Sequence, residues 1–549
     1  MRRLVSRREA VLSAAFVFAV ALVARVIAAS VIVFPRPEDT SYYVEVARHL
    51  LEGRGLVSDA LWSYGTPPLV FPRAAFEVWL PLPTFLAVVP MAVLEPSFAA
   101  AQLSSVLVGA LVPVLAWRIA ADVADELQLP IGRSRTFTLG VGLTAAVYLP
   151  LVLHSTLPDS TMPFAALVLT ACLIMTRIIR DPRGAAATDP RVLALGALVG
   201  LAALTRNEAI WVGLAWAVLA WFTSGFSVAA RVRIIGAVGV VSLLVFAPWA
   251  VRNWMEFGSP LPGQAAANAL SVRGTDVFAW NDPPTLERYL DEGPLRLLWM
   301  RVEGIGHNVV NVLLLLGIPA GVIGLVSLRW FGGARALRPL VFVSVVTFVV
   351  TSLVFPVSTT WGTYLHAAGP AHVLLIITGL LALDTGIARL GRARGWTRPV
   401  AWLGPALTLF GSVLFSVALL ATFGRGTVEV RDRWTAIEAA MAEVDLPLGP
   451  GEGPIITDFP IWLADTTGNP ALALPEEPPA DVLDLARAFP GTRAVVVLDD
   501  PDGGRLWPGV LAAGGRGSRC FVEVPLPRPA DAVLAAGLDG TRVYRIGCP

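Results

Sequence analysis

The sequence contains no lysine and only three cysteines among 549 residues, and charged side chains occupy just 15% of its positions. Soluble globular domains carry about 25% charged residues. So few charges, with 55% hydrophobic residues and a mean hydropathy of +0.67, exclude a soluble protein and predict a polytopic membrane protein. A net charge of +1 argues against nucleic acid as a partner. Because lysine is absent, every fixed side-chain cation is an arginine, whose planar guanidinium suits phosphate.

The hydrophobic runs predict eleven membrane-spanning helices, since a span needs about 20 apolar residues. The first run, 10–34, is longer than the apolar core of a signal peptide, so we expect a retained helix whose N-terminus is cytoplasmic. The predicted spans are 10–34, 98–119, 136–153, 161–180, 191–205, 207–223, 234–251, 305–328, 338–355, 370–388 and 401–423.

A twelfth apolar segment, 76–95, is predicted not to cross the membrane. If it stays on one side, the five arginine-rich loops fall on the cytoplasmic side with the N-terminus, as the positive-inside rule requires. Its three prolines also interrupt regular helix. We therefore expect membrane-surface or re-entrant structure in a first external loop, 35–97, and a second large external loop at 252–304.

The composition changes after Phe423. Residues 424–549 alternate strand-like runs, such as "AVVVLDD" and "RVYRIG", with helical segments. This predicts a transmembrane domain, 1–423, followed by a small extracytoplasmic α/β domain, 424–549, that binds glycan or braces the loops. Cys520 and Cys548 lie at strand ends that would meet in an antiparallel pair, so a disulfide or two unpaired thiols would fit.

Several ionisable residues lie at the predicted external ends of the spans, where such groups are candidates for function. Each also has a structural explanation: Asp39 and Asp159 could cap helices, Arg252 could anchor at the headgroups, Arg206 could pair with Glu208, and His366 could be an ordinary buried histidine. The candidates are Glu38, Asp39, Arg73, Asp159, Arg206, Arg252 and His366. Together, carboxylates and arginines suit a pocket that holds a lipid-linked phosphate and deprotonates a hydroxyl.

The order of several short motifs resembles the GT-C superfamily of polyprenyl-phosphate-sugar-dependent glycosyltransferases. Within this superfamily, the chain is most similar to members that resemble glycosyltransferase family 39. These are related to protein O-mannosyltransferases and aminoarabinose lipid A transferases. The motifs are "PEDTSYYVEVARHLLEGRGL", "HSTLPDSTMPFAALVL", "GLAALTRNEAIWV", "FAPWAVRNWMEFGSPLP", "WGTYLHAAGP" and "TDFPIWLADTTGNPALALP".

The resemblance implies an external active site with Asp39 as catalytic base, Glu38 as its acidic neighbour and Asp159 at a second acidic position. It also implies arginines that bind the donor phosphate. We assign Arg206, Arg252, Arg73 and His366 to that group. The sequence around Arg73, "FPRAAFEVW", departs from the proline-rich pattern of the relatives, and Asn207 stands where many relatives have glycine or proline.

The sequence thus predicts a plasma-membrane glycosyltransferase that moves a sugar, with inversion, from a polyprenyl phosphate to a hydroxyl of a glycan, lipid or protein. The chain lacks metalloprotease, P-loop, dinucleotide and zinc motifs, although Glu38, Asp39 and Asp159 would be compatible with a divalent metal. A transporter of lipid-linked glycans and a non-catalytic glycan-binding protein of the same fold are the alternatives. A transporter usually shows internal repeats, and we find none.

Overall fold

The computed structural model describes residues 7–182, 186–396, 400–498, 509, 511 and 514–548, and most of them are helical. The first ten helices are α1 (Arg7–Val31), α2 (Glu38–Leu51), α3 (Leu82–Val93), α4 (Phe98–Glu126), α5 (Ile131–Val147), α6 (Leu149–Leu153), α7 (Thr161–Arg180), α8 (Pro190–Ala203), α9 (Ala209–Phe222) and α10 (Val228–Phe257). They are followed by α11 (Ala265–Leu270), α12 (Leu286–Asp291), α13 (Gly293–His307), α14 (Ala320–Phe331), α15 (Arg338–Leu353), α16 (Thr363–Ala367), α17 (Gly369–Ala393), α18 (Leu403–Glu443), α19 (Pro460–Thr467), α20 (Pro479–Ala488) and α21 (Ala532–Gly537).

The chain is a multi-pass membrane protein. Within the described residues, seven helices are long and apolar enough to cross a membrane, namely α1, α4, α7, α10, α15 with the turn before it, α17 and α18. These coincide with seven of the eleven predicted spans. The predicted span 305–328 falls on a helix pair, Gly293–Leu315 and α14, that is bent by 114°. The exact number of crossings remains a prediction, because α8 and α9 have 14 residues each and α5 is interrupted.

The interruption of the predicted span 136–153 has a local cause. Pro150 has no backbone N–H, so the carbonyl of Ala146 loses its helical partner and α5 ends at Val147. Arg25 of α1, which is fully buried, donates to that carbonyl at 2.9 Å. Ser416 donates to the carbonyl of Val147 at 2.6 Å. A buried arginine of a neighbouring helix therefore completes the hydrogen bonding of a broken helix, and it also donates to Ser155 at 2.9 Å.

The segment 76–95 contains α3, a helix of 12 residues that packs on α2 and α4. Its length of about 18 Å is well short of the roughly 30 Å needed to cross the hydrocarbon core. α2 and α3 therefore form a helical layer within the first loop, as expected for surface helices.

The strands are β1 (Val57–Ser58), β2 (Ala60–Leu61), β3 (Arg73–Ala74), β4 (Ile455–Thr457), β5 (Ala471–Ala473), β6 (Ala494–Val497), β7 (Phe521–Val524) and β8 (Arg542–Ile546). β1 and β3 pair antiparallel, and the other six form one sheet in the order β2-β5-β4-β6-β8-β7. β2 pairs parallel to β5, with Ala60 opposite Ala471. The first loop therefore supplies the edge strand of the C-terminal sheet.

The C-terminal region is joined to the rest of the chain in two further ways. α18 is a helix of 41 residues that continues without a break past Phe423. A hydrophobic core combines Tyr42 and Phe76 of the first loop with Ile455 and Ile461 of the C-terminal region. At the far end of the sheet, a disulfide bond joins Cys520 and Cys548 beside the antiparallel pair β7 and β8.

Candidate active site

The turn between α6 and α7 builds one half of the site around Asp159. The side chain of Asp159 is fully buried, and its Oδ1 accepts the N–H of Thr161 at 2.7 Å, which fixes it at the start of α7. Its Oδ2 lies 3.1 Å from His154 Nδ1. Asp159 is therefore anchored through one oxygen just before α7, and its second oxygen faces the interior of the site.

The first turn of α2 builds the other half. Asp39 lies two residues after Pro37, and its Oδ1 accepts the N–H of Thr40 at 2.9 Å. Its Oδ2 lies 3.4 Å from His366 Nε2, and its side chain retains 14% exposure. Asp39 is therefore anchored by one oxygen and still partly accessible.

His366 of α16 connects the two halves. Its Nε2 faces Asp39, and its Nδ1 lies 3.6 Å from Asp159 Oδ2 and 2.8 Å from the hydroxyl of Thr161. Gly362 makes room for this ring, because a Cβ there would lie 3.3 Å from the imidazole. Its φ of +110° also lies in the region that favours glycine. The imidazole thus occupies the space between two carboxylates that are 120 residues apart in the sequence.

Burial and mutual charge drive the pKa values of these groups apart. Burial raises the pKa of Asp39 above the ordinary carboxyl value, and His366 opposes that rise. Burial would raise the pKa of Asp159 as well, but the hydrogen bond with His154 and the proximity of the His366 imidazole outweigh it and hold that pKa well below its usual range. The pKa of His366 is raised by Asp39 and Asp159 despite burial, which acts to lower it. The pKa values of the two carboxyl groups are thus shifted in opposite directions, which makes Asp39 the stronger base of the pair.

We use the name Asp39 cluster for four side chains: Asp39, Asp159, His154 and His366. Arg206 lies beside this cluster. Its guanidinium pairs with Glu208 at 2.8 Å and donates to Ser160 Oγ at 2.8 Å and to the carbonyl of Thr363 at 3.2 Å. These bonds tie together the α8–α9 tip, the Asp159 turn and the loop before His366. Arg206 therefore forms the local ion pair that the sequence allowed, and it also lies at the site.

Arg73 and Arg252 form a separate group with Phe257, whose ring both guanidinium groups approach at 5.4 and 5.3 Å. Arg73 is buried and binds its own loop through the carbonyls of Thr66 and Pro68, with Glu77 at 3.7 Å. Arg252 is only half-buried and donates to the carbonyl of Ala75 at 2.7 Å. Of the four predicted phosphate ligands, the structure therefore places two at the Asp39 cluster and two in this second group.

The fold is shared with two known membrane transferases. Over 97% of both chains, the structure is similar to ArnT from Cupriavidus metallidurans bound to undecaprenyl phosphate, with a TM-score of 0.54 and 16% sequence identity. Over 90% of this chain and 69% of the other, it is similar to the Archaeoglobus fulgidus oligosaccharyltransferase in complex with Zn and sulfate, with a TM-score of 0.54 and 13% identity. The chain has the GT-C fold. No protein-family model and no curated protein matches the sequence.

Two groups of side chains in this GT-C structure are compatible with a divalent metal. His154, Asp159 and His366 offer ligand atoms that lie within 4.8 Å of one another, and so do Glu45, His49 and Asp59. Nitrogen and carboxylate oxygen are ligands that zinc accepts. In the second group, however, the guanidinium of Arg54 already lies 2.7 Å from His49 and 2.6 Å from Asp59.

Glu38, the remaining residue of the predicted site, faces away from the Asp39 cluster. Its Oε1 accepts the N–H of Ile461 at 3.0 Å, at the start of α19. Conversely, sequence reasoning overlooked His154, although it lies in the same short turn as Asp159. The available signal was the spacing "HSTLPD", which places an imidazole and a carboxylate at the two ends of one turn of a GT-C loop.

Proposed function

We propose that this protein transfers a sugar from a polyprenyl-phosphate donor to an acceptor hydroxyl, with inversion at the anomeric carbon and with Asp39 as the general base. The observation that carries the proposal is the state of Asp39. It is a partly accessible carboxylate with a raised pKa, oriented by His366, beside a second carboxylate that stays ionised. Environments that separate the pKa values of neighbouring carboxylates are typical of acid–base sites.

The donor class is supported by the GT-C fold and by the arginines. ArnT, similar over 97% of both chains, was crystallised with undecaprenyl phosphate. In the present chain, Arg206 lies at the Asp39 cluster, and Arg252 is half-buried in the second group. We assign Arg206 and Arg252 to the donor phosphate, and Arg73 to the support of the loop that holds Arg252.

The reaction needs one proton transfer. The acceptor oxygen attacks the anomeric carbon as its proton passes to Asp39, and the bond from that carbon to the phosphate oxygen breaks, leaving its electron pair on the phosphate. Proton transfer to a positioned base typically contributes about 10²–10⁴-fold. A cation at the departing phosphate is worth roughly 3–4 kcal/mol. His366 holds Asp39 in orientation, and Asp159 favours the protonated form of His366.

We further propose that the site and the C-terminal region face the outside of the plasma membrane and that the N-terminus is cytoplasmic, since this arrangement puts the arginine-rich loops inside. If a divalent metal takes part, His154, Asp159 and His366 would hold it, and it would supply positive charge to the donor phosphate. Chelation that leaves transfer unchanged would exclude that role.

The test is sugar transfer by the purified protein in lipid nanodiscs, supplied with a panel of polyprenyl-phosphate sugars and the glycans, lipids and proteins of its own envelope. We expect Asp39→Asn to lower kcat about 10²–10⁴-fold. The matched control is Asp125→Asn, which changes an exposed carboxylate near the C-terminal end of α4. Asp39→Asn with wild-type turnover would refute the base. Movement of an intact donor across the membrane, without transfer, would instead support the transporter.

A further inference from the structure

A short helix of the C-terminal region, α19, contacts the helix that carries Asp39. Trp462 Nε1 donates to the carbonyl of Pro35 at 3.0 Å, just before α2 begins. The backbone N–H of Ile461 donates to Glu38 at 3.0 Å. Both contacts fall on the residues that immediately precede Asp39, and each joins positions more than 400 residues apart in the chain.

The strongest contact comes from Asp465, whose side chain is only 5% exposed. Its carboxylate accepts the hydroxyl of Ser41 and, at 2.8 Å, Nη2 of Arg48. Arg48 Nη1 also donates to the backbone carbonyl of Asp465 at 3.2 Å. A charge-assisted bond to a buried carboxylate is among the stronger polar contacts in proteins, so this pairing resists rotation of α2.

The spacing of these residues divides α2 into two faces. The residues of α2 that contact α19 lie at intervals of three and seven along the chain: Glu38, Ser41 and Arg48. This spacing places them on one side of the helix. At about 100° per residue, Asp39 and Tyr43 lie on the other side, where Asp39 meets His366. A rotation of α2 that loosened the α19 face would therefore move the Asp39 carboxylate away from the imidazole.

We propose that α19 acts as a brace that sets the rotation of α2, and that Asp465 is a positioning residue which holds Asp39 against His366 without touching the reacting atoms. This inference rests on the proposed function only for its kinetic consequence, because the alignment of Asp39 with His366 is measurable without any substrate.

The decisive readout is the distance between Asp39 and His366 in the full chain in nanodiscs. The His366 ring is faced by Asp39 from α2, by Asp159 and His154 from the turn before α7, and by Arg206 from the α8–α9 tip. Because the sequence has only five histidines, solid-state NMR of protein labelled with ¹³C-aspartate and ¹⁵N-histidine can measure the separation of the Asp39 carboxyl carbon from His366 Nε2, with Asp39→Asn and His366→Gln assigning the signals. If Asp465→Ala lets Asp39 withdraw, this separation should increase from the value set by the 3.4 Å contact of Asp39 Oδ2 with His366 Nε2.

The matched control is Asp484→Ala on the neighbouring α20, whose carboxylate contacts Trp280 Nε1 at 3.0 Å, outside α2. We expect it to leave the distance between Asp39 and His366 unchanged. Asp465→Asn, which can still accept from Ser41, should restore part of the short distance, and Arg48→Ala should reproduce the increase from the α2 side. An unchanged distance between Asp39 and His366 in folded Asp465→Ala would overturn the brace, whether or not transfer is observed.

Kinetics then separate the two proposals. If the brace and the transferase are both correct, Asp465→Ala should lower kcat about 10- to 100-fold, with little change in the KM for the donor, because Arg206 lies on the α8–α9 tip and Arg252 on α10, away from α19. If the wild-type protein transfers no sugar while the distance between Asp39 and His366 still responds to Asp465→Ala, the transferase is refuted and the brace stands.

Discussion

At the scale of single residues, the charge of His366 controls the basicity of Asp39. The two side chains are 3.4 Å apart, and the imidazole opposes the rise in the Asp39 pKa that burial causes. Asp159 contributes by raising the pKa of His366, so the cation persists to higher pH than in an ordinary histidine. The three side chains therefore act as one titrating unit.

We predict that His366→Gln moves the acid limb of the transfer activity to higher pH. Removing the cation removes the influence that lowers the Asp39 pKa, so Asp39 takes up a proton at a higher pH and the base is lost earlier as the solution is acidified. The measurement is kcat/KM for the donor from pH 4 to 9. His307→Gln, at the C-terminal end of α13, is the control, and an acid limb that stays in place or moves down would contradict the coupling.

These residue-scale contacts also show where sequence reasoning stops. Three site residues could be selected from the sequence because each lies at the end of an apolar run, where a charged group is a candidate for function: Asp39, Asp159 and Arg206. The pairing of Asp39 with His366 could not be predicted, since the two are separated by 327 positions and joined only by packing. The resemblance distinguished Asp39, as the base, from Glu38, its acidic neighbour, and one helical step points them to His366 and to α19, respectively.

At the scale of elements, Arg25 compensates for a proline in a neighbouring helix. Ala146 and Leu151 both present carbonyls to its guanidinium at the break between α5 and α6. A continuous apolar run at 136–153 gave no sign of this break except Pro150 itself. The hydropathy pattern therefore located the segment correctly, whereas the interruption depends on hydrogen bonds from α1.

We predict that Arg25→Met destabilises the protein in detergent by about 1–3 kcal/mol for each buried acceptor left unpaired. Methionine preserves much of the apolar stem, so the loss reports the missing donors. The measurement is the thermal unfolding midpoint, with Arg135→Met as the control, because Arg135 is 53% exposed and pairs with Glu9 at the surface. Equal midpoints for the two variants would show that the break does not need Arg25.

At the scale of the whole molecule, the loops 35–97 and 252–304 and the C-terminal region form one unit. Periodicity predicted the strands that became β4, β6, β7 and β8, because each is a run of β-branched or aromatic residues. It did not predict β2, since Ala60 and Leu61 are only two residues with no strand pattern, and their extended shape comes from pairing with β5. Local propensity thus predicted four of the six strands, and pairing with β5 determined the edge strand β2.

We predict that this unit is extracytoplasmic. In a background with Cys172→Ser and the native disulfide retained, an impermeant maleimide applied to intact cells should label Ala442→Cys, at the exposed end of α18. It should not label Arg394→Cys, in the arginine-rich loop after α17, until the cells are permeabilised. The reverse labelling pattern would invert the orientation and place the site in the cytoplasm.

The edge strand has a consequence for synthesis of the protein on the ribosome. β2 is translated more than 400 residues before its partner β5, and α2 is translated equally long before α19. Throughout that interval Asp39 has left the ribosome without the contacts that orient its helix. If the brace is needed for catalysis, the nascent chain stays inactive until nearly all of it has been made, and a prematurely terminated chain is inserted in the membrane without an assembled site.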